Sequence, residues 1–316
     1  MIYDITLIVS GLVLLVIAGD ALVRGAVALS LKIGISALVV SLTVVAFGTS
    51  APELLVGIKA TLEGSPGLVF GNVVGSNIAN VLLVLGVPLL IAPIATGAHG
   101  TSRNLALMLA ASGLFIAISG TGGITFWIGV AFVGLLLALI YDAYVVGLKD
   151  LSDVDLSDVD KDAVGDPNWK IALLLLGGIV GLPLGANLLV DGASRIAFDL
   201  GMSEAAVGLT IVAIGTSLPE LATTVAAAFR RQAEVAVGNV IGSNMFNILA
   251  VMGGSALFGD LLTPEGFMEL DFWIMLATSL ALAPFIFLKA EMTRATGILF
   301  LVAYAVYIVF ALGPRM

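Results

Sequence analysis

The chain contains Gly48-Thr-Ser-Ala-Pro-Glu53 and, 167 positions later, Gly215-Thr-Ser-Leu-Pro-Glu220. At the same offset, Gly71-Asn-Val-Val-Gly-Ser-Asn-Ile-Ala-Asn80 is matched by Gly238-Asn-Val-Ile-Gly-Ser-Asn-Met-Phe-Asn247. Both pairs of motifs combine glycine or proline with oxygen-bearing side chains, although apolar sequence surrounds them. These four segments determine both the fold and the candidate site that the sequence predicts.

The repeat extends well beyond the motifs. Residues 19–86 align with residues 186–253 without a gap, and 28 of the 68 aligned positions are identical. A duplication that only produced a stable helical bundle would spread its identity over packing positions. Here the identity is concentrated in polar and helix-breaking residues, so we expect the repeat to build a functional site.

The composition indicates a membrane protein. Hydrophobic residues make up 60% of the 316 positions and charged residues only 11%. Soluble globular domains carry about 25% charged residues, so this supply cannot cover a water-facing surface. Charge-free runs such as 64–98 and 104–141 are longer than the roughly 20 apolar residues that a membrane-spanning helix needs. We therefore predict an all-α protein in a lipid bilayer.

The same composition argues against several functions. The chain has no cysteine and a single histidine, His99, which lies in a predicted loop. Thiolate chemistry is therefore excluded, and no His-Glu-x-x-His motif supports an intramembrane hydrolase. The net charge of −9 does not suggest nucleic-acid binding. We expect neither an enzyme nor a resident cofactor, and no nucleic-acid partner.

Gly/Pro-rich or charged segments divide the apolar sequence into ten predicted spans. They are 4–31, 36–62, 67–92, 103–119, 124–147, 169–198, 203–228, 234–258, 270–288 and 295–313. Ten of the 13 Lys and Arg residues then fall on one side of the membrane, which the positive-inside rule makes cytoplasmic. Both termini are therefore expected outside, and the acidic linker 149–168 inside.

Each half of this arrangement has five spans, so the second half should enter the membrane upside down relative to the first. The predicted units are a first repeat (1–148), the linker (149–168) and a second, inverted repeat (169–316). Inverted repeats are typical of secondary transporters, which bind substrate near the membrane midplane. The linker is rich in aspartate. An EF-hand loop that began at Asp158 would need glycine at position 163 and glutamate at 169, where the chain has Ala163 and Trp169, so we interpret the linker as a solvated connector.

The proline of each first motif should break or kink its helix. Pro52 and Pro219 lack an amide hydrogen and clash with the carbonyl group four residues earlier. We therefore expect broken helices 2 and 7 at the midplane, with free carbonyl groups near Ala46 and Ala213. With the hydroxyl and carboxylate groups of the motif, these carbonyls form an oxygen-only ligand set suited to calcium or sodium. The alternative is a capping box, in which the serine and glutamate only cap a restarted helix.

The second motif places polar side chains on one helix face. A spacing of four residues brings together Asn72, Ser76 and Asn80 in the first repeat and Asn239, Ser243 and Asn247 in the second. Asn77 and Asn244 lie one position further round the helix, and they are weaker candidates, as are Asn72 and Asn239. Their oxygens can complete a cation site without adding charge. Helix packing is the alternative, because the same motif contains the Gly-x-x-x-Gly spacing.

Glu53 and Glu220 are functional candidates because an ionisable group at membrane depth costs several kcal/mol. Together they would supply two negative charges, which one calcium ion neutralises. Sodium ions could compete for the same oxygens and so couple two fluxes. Protons could instead bind the carboxylates, so the residues alone leave sodium and proton coupling open.

The paired motifs resemble the α-repeats of the calcium/cation antiporter superfamily, most closely those of prokaryotic sodium/calcium exchangers. The resemblance covers about 40–86 and 207–253, and the span plan extends it over nearly the whole chain. It implies that calcium is held by Glu53, Glu220, Thr49 and Thr216. It implies that sodium uses the same glutamates with Ser50, Ser217, Ser76, Ser243 and the carbonyl groups of Ala46 and Ala213.

The resemblance also implies alternating access, with spans 1 and 6 sliding across the bundle. Gly25 and Gly192, at matching positions in those spans, fit a close sliding contact, although ordinary packing explains them equally well. Asp20 is interpreted as an interfacial charge, with a gating pair as the alternative. We expect a sodium/calcium antiporter of the prokaryotic plasma membrane that functions as a monomer. The alternatives are a proton/calcium exchanger and an ion channel.

One departure from the family pattern concerns Asn247. Archaeal exchangers and potassium-dependent relatives carry aspartate at this position. With Asn80 and Asn247 both neutral, the site has only two fixed charges, which argues against potassium dependence.

Overall fold

A computed structural model describes residues 1–149, 166–201, 213–264 and 270–312, and these ranges are almost entirely helical. We number the helices in chain order as α1 (Ile2–Ile33), α2 (Ala37–Leu62), α3 (Pro66–Ile91), α4 (Thr101–Ser119), α5 (Phe126–Lys149), α6 (Asn168–Asp199), α7 (Leu218–Phe229), α8 (Ala233–Ala256), α9 (Phe272–Phe287) and α10 (Arg294–Leu312). A helical turn, Ala213–Thr216, precedes α7. Two short antiparallel strands, β1 (Gly123–Ile124) and β2 (Leu261–Leu262), pair before α5 and after α8.

The outside of the bundle is apolar. Eight helices in the described ranges are long and apolar enough to cross a membrane, and the shorter helices α7 and α9 are also apolar. Val16, Leu137 and Val306 are 69%, 61% and 63% exposed. Soluble monomers rarely expose such large apolar patches. The predicted all-α membrane protein is therefore confirmed. The ten spans stay a prediction, since residues 202–212 lie outside the described ranges.

α1 and α6 are 32-residue helices that pack against each other in antiparallel orientation. A Cβ added at Gly192 would lie 2.6 Å from the carbonyl oxygen of Asp4, and one at Gly25 would lie 2.9 Å from the side chain of Leu175. Contacts of 3.0 Å or less would also arise at Gly11, Gly178, Gly181 and Gly185. Gly25 and Gly192 therefore pack α1 against α6, as the packing alternative predicts, and their part in sliding stays a prediction. We call this row of contacts the glycine seam.

α8 lies at the centre of the described bundle, since it is the most deeply buried of the eight long helices. Two glycines let it approach α2. A Cβ added at Gly238 would lie 3.0 Å from the carbonyl oxygen of Leu38, and one at Gly242 would lie 2.7 Å from that of Leu42. The packing role of the Gly-x-x-x-Gly spacing is therefore confirmed in the second repeat. The matching glycines of the first repeat have no described atom within 4 Å of an added Cβ, so their packing role stays a prediction.

Three of the described helices contain π-helical turns, and each lies beside a predicted site residue. They cover Ser41–Val45 in α2, Asn80–Val84 in α3 and Asn247–Met252 in α8. In the first, the amide of Ala46 donates to the carbonyl oxygen of Ser41, five residues earlier. Such turns are rare and occur frequently at functional sites.

The predicted break of helix 2 at Pro52 is wrong. Ala46–Leu62 is one continuous α-helix with Pro52 inside it. Hydroxyl side chains and local π-turns can compensate the backbone groups that proline frees in a membrane helix. Here the π-turn of α2 ends immediately before Ala46, six residues ahead of Pro52. The irregularity therefore lies upstream of the proline.

The second repeat differs at the equivalent position. The helical turn Ala213–Thr216 ends before Ser217, and α7 begins at Leu218 with Pro219 in its first turn, as the sequence predicts. Ser217 occupies the N-cap position, but its side chain makes no capping hydrogen bond. Its counterpart Ser50 lies inside the continuous helix of α2. The capping alternative is therefore wrong, and both serines are available for other contacts.

Candidate cation-binding site

Glu53 on α2 and Glu220 on α7 are both buried, with only 1% of each residue exposed. Ser50, one helical turn before Glu53, donates a hydrogen bond of 3.1 Å to Oε1 of Glu220. The Glu220 carboxylate therefore contacts α2 one turn from Glu53. The structure therefore brings the two predicted glutamates together in the interior of the bundle.

Matching asparagines hold the backbone at both glutamates. Asn72 Nδ2 donates to the carbonyl oxygen of Glu53 at 3.1 Å, and Asn239 Nδ2 donates to that of Glu220 at 3.4 Å. The sequence suggested these asparagines as weaker ligands. Each of them points its amide nitrogen at a backbone carbonyl, so each one positions a glutamate.

Thr49 connects α2 to α8 through polar contacts. Its hydroxyl oxygen lies 3.3 Å from both Oδ1 of Asn239 and the carbonyl oxygen of Ala46, so its one hydrogen can be donated to either, and it lies 3.4 Å from Oγ of Ser243. The predicted ligands Thr49, Ser243 and Ala46 are therefore neighbours. Asn239 also donates a hydrogen bond to the backbone carbonyl oxygen of Glu220, so these polar contacts extend to the second glutamate.

The remaining hydroxyl and carbonyl ligands of the predicted set lie on α3 and just before α7. Ser76 is buried on α3. Thr216 ends the helical turn before α7, and the buried Ser217 follows it. Ala213 begins that turn.

Five side-chain oxygens of the predicted ligands are buried with no hydrogen-bond partner among the described residues. They are Oε2 of Glu53, Oε2 of Glu220, Oγ of Ser217, and Oδ1 of Asn80 and Asn247. Leaving a buried polar atom unpaired costs about 1–3 kcal/mol, so each of these oxygens is a candidate to contact a ligand. All five are oxygens, which hard cations such as calcium prefer. No three His, Cys, Asp or Glu side chains cluster in the described ranges, so the fixed charge comes from two carboxylates.

Sequence reasoning missed Thr224 on α7. Its hydroxyl donates to the carbonyl oxygen of Glu220 at 2.8 Å and accepts a hydrogen bond of 3.1 Å from Asn239 Nδ2. It therefore supports both the glutamate backbone and the asparagine that holds it. The repeat gave no signal for this residue, because the matching position in the first repeat is Gly57.

Sequence reasoning also missed the partners of two acidic residues that lie within helices. Asp20 on α1 pairs with Arg230, which follows α7, with 2.5 Å between Oδ1 and Nε. Asp142 on α5 pairs with Arg103 on α4. Asp20 thus has a cationic partner on another element, which favours the gating-pair alternative over a purely interfacial charge.

These observations define a class of protein. It is a helical membrane protein that encloses two carboxylates and several neutral oxygens, a site suited to a hard cation. Comparison with known sequences narrows the class. The sequence model of the family described as sodium/calcium exchanger protein matches residues 3–145 and 170–313. The chain belongs to this family.

Similar proteins cover nearly the whole chain. Inner membrane protein YrbG of Escherichia coli is 35% identical over 289 residues, which covers 88% of this chain and 86% of the relative. Sodium/calcium exchanger MaX1 of Methanosarcina acetivorans is 32% identical over 335 aligned positions, 95% of each chain. The solved structure of the sodium/calcium exchanger from Methanococcus jannaschii is 32% identical, with a TM-score of 0.84 over 100% of this chain and 99% of that chain.

The predicted membership of the calcium/cation antiporter superfamily is confirmed by these comparisons. They support a cation/calcium antiporter of the membrane, in a family of exchangers rather than enzymes.

Proposed function

We propose that the chain exchanges sodium for calcium by alternating access, with the transported ion held between Glu53 and Glu220. The observation that carries this proposal is the buried carboxylate pair, in which each Oε2 has no hydrogen-bond partner among the described residues. A bound cation would satisfy both oxygens at once. The family of the chain, and a relative named as a sodium/calcium exchanger, support the choice of ions.

The proposed ligands form two overlapping sets. Calcium would be held by Glu53, Glu220, Thr49 and Thr216. Sodium ions would use the same glutamates with Ser50, Ser217, Ser76, Ser243 and the carbonyl groups of Ala46 and Ala213. Oδ1 of Asn80 and of Asn247 would complete the coordination. Because the two sets share both carboxylates, the ions compete for one site, and this competition couples the two fluxes.

Charge balance explains why the exchange would be obligatory. Two ionised carboxylates in a buried, low-dielectric site repel each other and are costly to desolvate. One calcium ion, or two sodium ions, cancels the charge of the pair. The loaded carrier would therefore switch readily between its inward-open and outward-open states, whereas the empty carrier would switch slowly. Uncoupled leakage of either ion would stay small.

The proposal includes the inverted topology. Two five-helix repeats (1–148 and 169–316), joined by the linker 149–168, would form ten spans and bring the glutamates to the midplane from opposite directions. Support comes from the matching hydrogen bonds of Asn72 and Asn239 to the two glutamate backbones. Residues 150–165, most of the proposed connector, lie outside the described ranges.

We place the protein in the prokaryotic plasma membrane with both termini outside. A relative named as an inner membrane protein supports the location, and the uneven distribution of Lys and Arg supports the orientation. All proposed ligands belong to one chain, so a monomer would suffice.

The moving elements would be α1 and α6. The glycine seam keeps their backbones in close contact, so the pair could move as one unit against the rest of the bundle. The Asp20–Arg230 ion pair joins α1 to the end of α7 and would have to break during such a movement.

Purified protein in proteoliposomes tests the proposal. Sodium-loaded vesicles should take up calcium while an outward sodium gradient exists, and a sodium ionophore that dissipates the gradient should stop the uptake. A pH gradient alone should drive no uptake. Uptake driven by pH alone would establish the proton-coupled alternative, and calcium conductance without any counter-ion gradient would establish a channel.

A further inference from the structure

Asn77, Asn80, Asn244 and Asn247 form a buried group between α3 and α8, which we call the asparagine quartet. Asn80 Nδ2 donates to Oδ1 of Asn244 at 3.0 Å, and Asn247 Nδ2 donates to Oδ1 of Asn77 at 3.1 Å. Asn77 Nδ2 lies 3.5 Å from the carbonyl oxygen of Asn244 and 3.6 Å from Sδ of Met275. Asn244 Nδ2 lies 3.4 Å from the carbonyl oxygen of Asn77.

The backbone determines which way each of these amides points. A carbonyl oxygen can only accept a hydrogen bond, so Asn77 and Asn244 must direct their NH2 groups to each other's backbone. Their Oδ1 atoms then face Asn247 and Asn80, which must direct their own NH2 groups into the quartet. A flipped amide at any of the four positions would set two acceptors or two donors against each other.

This arrangement leaves one oxygen free on each outer asparagine. Oδ1 of Asn80 and Oδ1 of Asn247 are buried with no hydrogen-bond partner in the described part of the chain. Each residue also begins the π-turn of its helix. The two free oxygens are thus equivalent in the two repeats, and both result from the same chain of contacts.

We propose that Asn77 and Asn244 are positioning residues. They fix the orientation of the side-chain amides of Asn247 and Asn80, so that the oxygen of each amide, and not its NH2 group, faces the transported cation. The inference rests on the proposed function, because it takes the cation to lie on the open side of those two oxygens. Asn77 acts on Asn247, and Asn244 acts on Asn80.

The orientation of these amides matters because an amide group has two ends of opposite polarity. The oxygen binds a cation, whereas the NH2 group repels it, so a rotated amide would turn a ligand into a barrier. An amide that is already oriented also loses less conformational freedom when the ion binds. Both effects act on affinity, and neither changes the net charge of the site.

Two double-mutant cycles on calcium affinity test the proposal. One combines Asn77→Ala with Asn247→Ala, and the other combines Asn244→Ala with Asn80→Ala. The crossed combinations, Asn77→Ala with Asn80→Ala and Asn244→Ala with Asn247→Ala, are matched controls, because the quartet contains no side-chain bond between those residues. For each variant, sodium-driven uptake gives the half-saturating calcium concentration and the maximal rate.

Each single substitution should raise the half-saturating calcium concentration about tenfold, the size expected for one hydrogen bond. In Asn77→Ala and Asn244→Ala, which remove no proposed ligand, the maximal rate should stay within about threefold. In the direct pairs the second substitution should add almost nothing, because the positioning residue then has no ligand to orient. In the crossed pairs the two effects should multiply to about a hundredfold.

Effects that multiply in the direct pairs, or an unchanged half-saturating concentration in Asn77→Ala and Asn244→Ala, would overturn the proposal. A merely structural role would lower the rate and the thermal midpoint in every combination, without the pairing pattern. If an alanine variant fails to elute as a single species, serine replaces it, since serine is too short to reach the partner amide. Failure of the proposed function is separate, because the wild-type protein would then show no sodium-driven uptake.

Discussion

Replacing Glu53 by glutamine would remove one of the two charges that hold the ion while keeping the shape of the side chain. Removing one partner of a buried ion pair costs about 3–5 kcal/mol. Since 1.4 kcal/mol corresponds to a factor of ten, the affinity for calcium should fall by about two to three and a half orders of magnitude. The ion-free protein should be at least as stable as the wild type, because glutamine leaves one carboxylate fewer to bury in the interior of the bundle.

Calcium uptake into sodium-loaded proteoliposomes measures the loss of affinity, and the thermal midpoint without calcium measures stability. The matched control is Glu63→Gln just after α2, where the side chain is 57% exposed and lies 3.9 Å from Lys59. An exposed ion pair of this kind contributes little to stability, so the control variant should transport calcium at a rate within about twofold of the wild type. Wild-type affinity in Glu53→Gln, or a marked loss of stability without calcium, would refute the reasoning.

Calcium should raise the thermal midpoint of the detergent-purified protein, since a ligand at 100 times its Kd adds about 2.7 kcal/mol, and Glu220→Gln should abolish that rise. A rise that persists in the variant would place the ion elsewhere. Gly178→Ala should lower the thermal midpoint and slow transport, because the added Cβ would lie 2.6 Å from Cβ of Leu22 and overpacking costs about 1–3 kcal/mol. Gly177→Ala is its control, with no described atom within 4 Å of the added Cβ, and equal behaviour of the two variants would contradict the role of the glycine seam. Asp20→Asn removes the partly exposed ion pair with Arg230, which would have to break during transport and is worth up to about 1 kcal/mol. Turnover at low salt should therefore rise by up to about fivefold. A shift in the half-saturating calcium concentration of that variant would show that the pair acts on binding rather than on movement.

The repeat in the sequence predicted the features that both halves share. The offset of 167 residues singled out Glu53 and Glu220, and the structure buries both and links their helices through Ser50. It also singled out Asn72 and Asn239, which make equivalent hydrogen bonds to the two glutamate backbones. Such features can be predicted because the same motif makes the equivalent contact within each repeat.

Features that occur in only one repeat could not be predicted in this way. The motif alone gave no reason to expect a continuous helix at Pro52 and a restart at Leu218, since tertiary contacts decide between the two outcomes. Thr224 has no counterpart, because Gly57 occupies the matching position. Arg230 lies far from Asp20 in sequence, so only the packing of α1 reveals that pair.

The orientation of the asparagines is also a tertiary property. The sequence placed Asn77 and Asn244 one position round the helix from the predicted ligands, and it suggested them as weaker candidates. Only the contacts between α3 and α8 show that their NH2 groups meet backbone carbonyls and that their oxygens hold the outer asparagines.

The central claim, that one dehydrated ion lies between Glu53 and Glu220, is tested most directly by crystals soaked in strontium, a calcium substitute with strong anomalous scattering. The account predicts one anomalous peak within coordination distance of both carboxyl groups, about 2.3–2.6 Å for calcium and slightly longer for strontium. The peak should disappear in crystals of Glu53→Gln soaked at the same concentration. A peak that lies away from both glutamates, or that persists between them in the variant, would contradict the account.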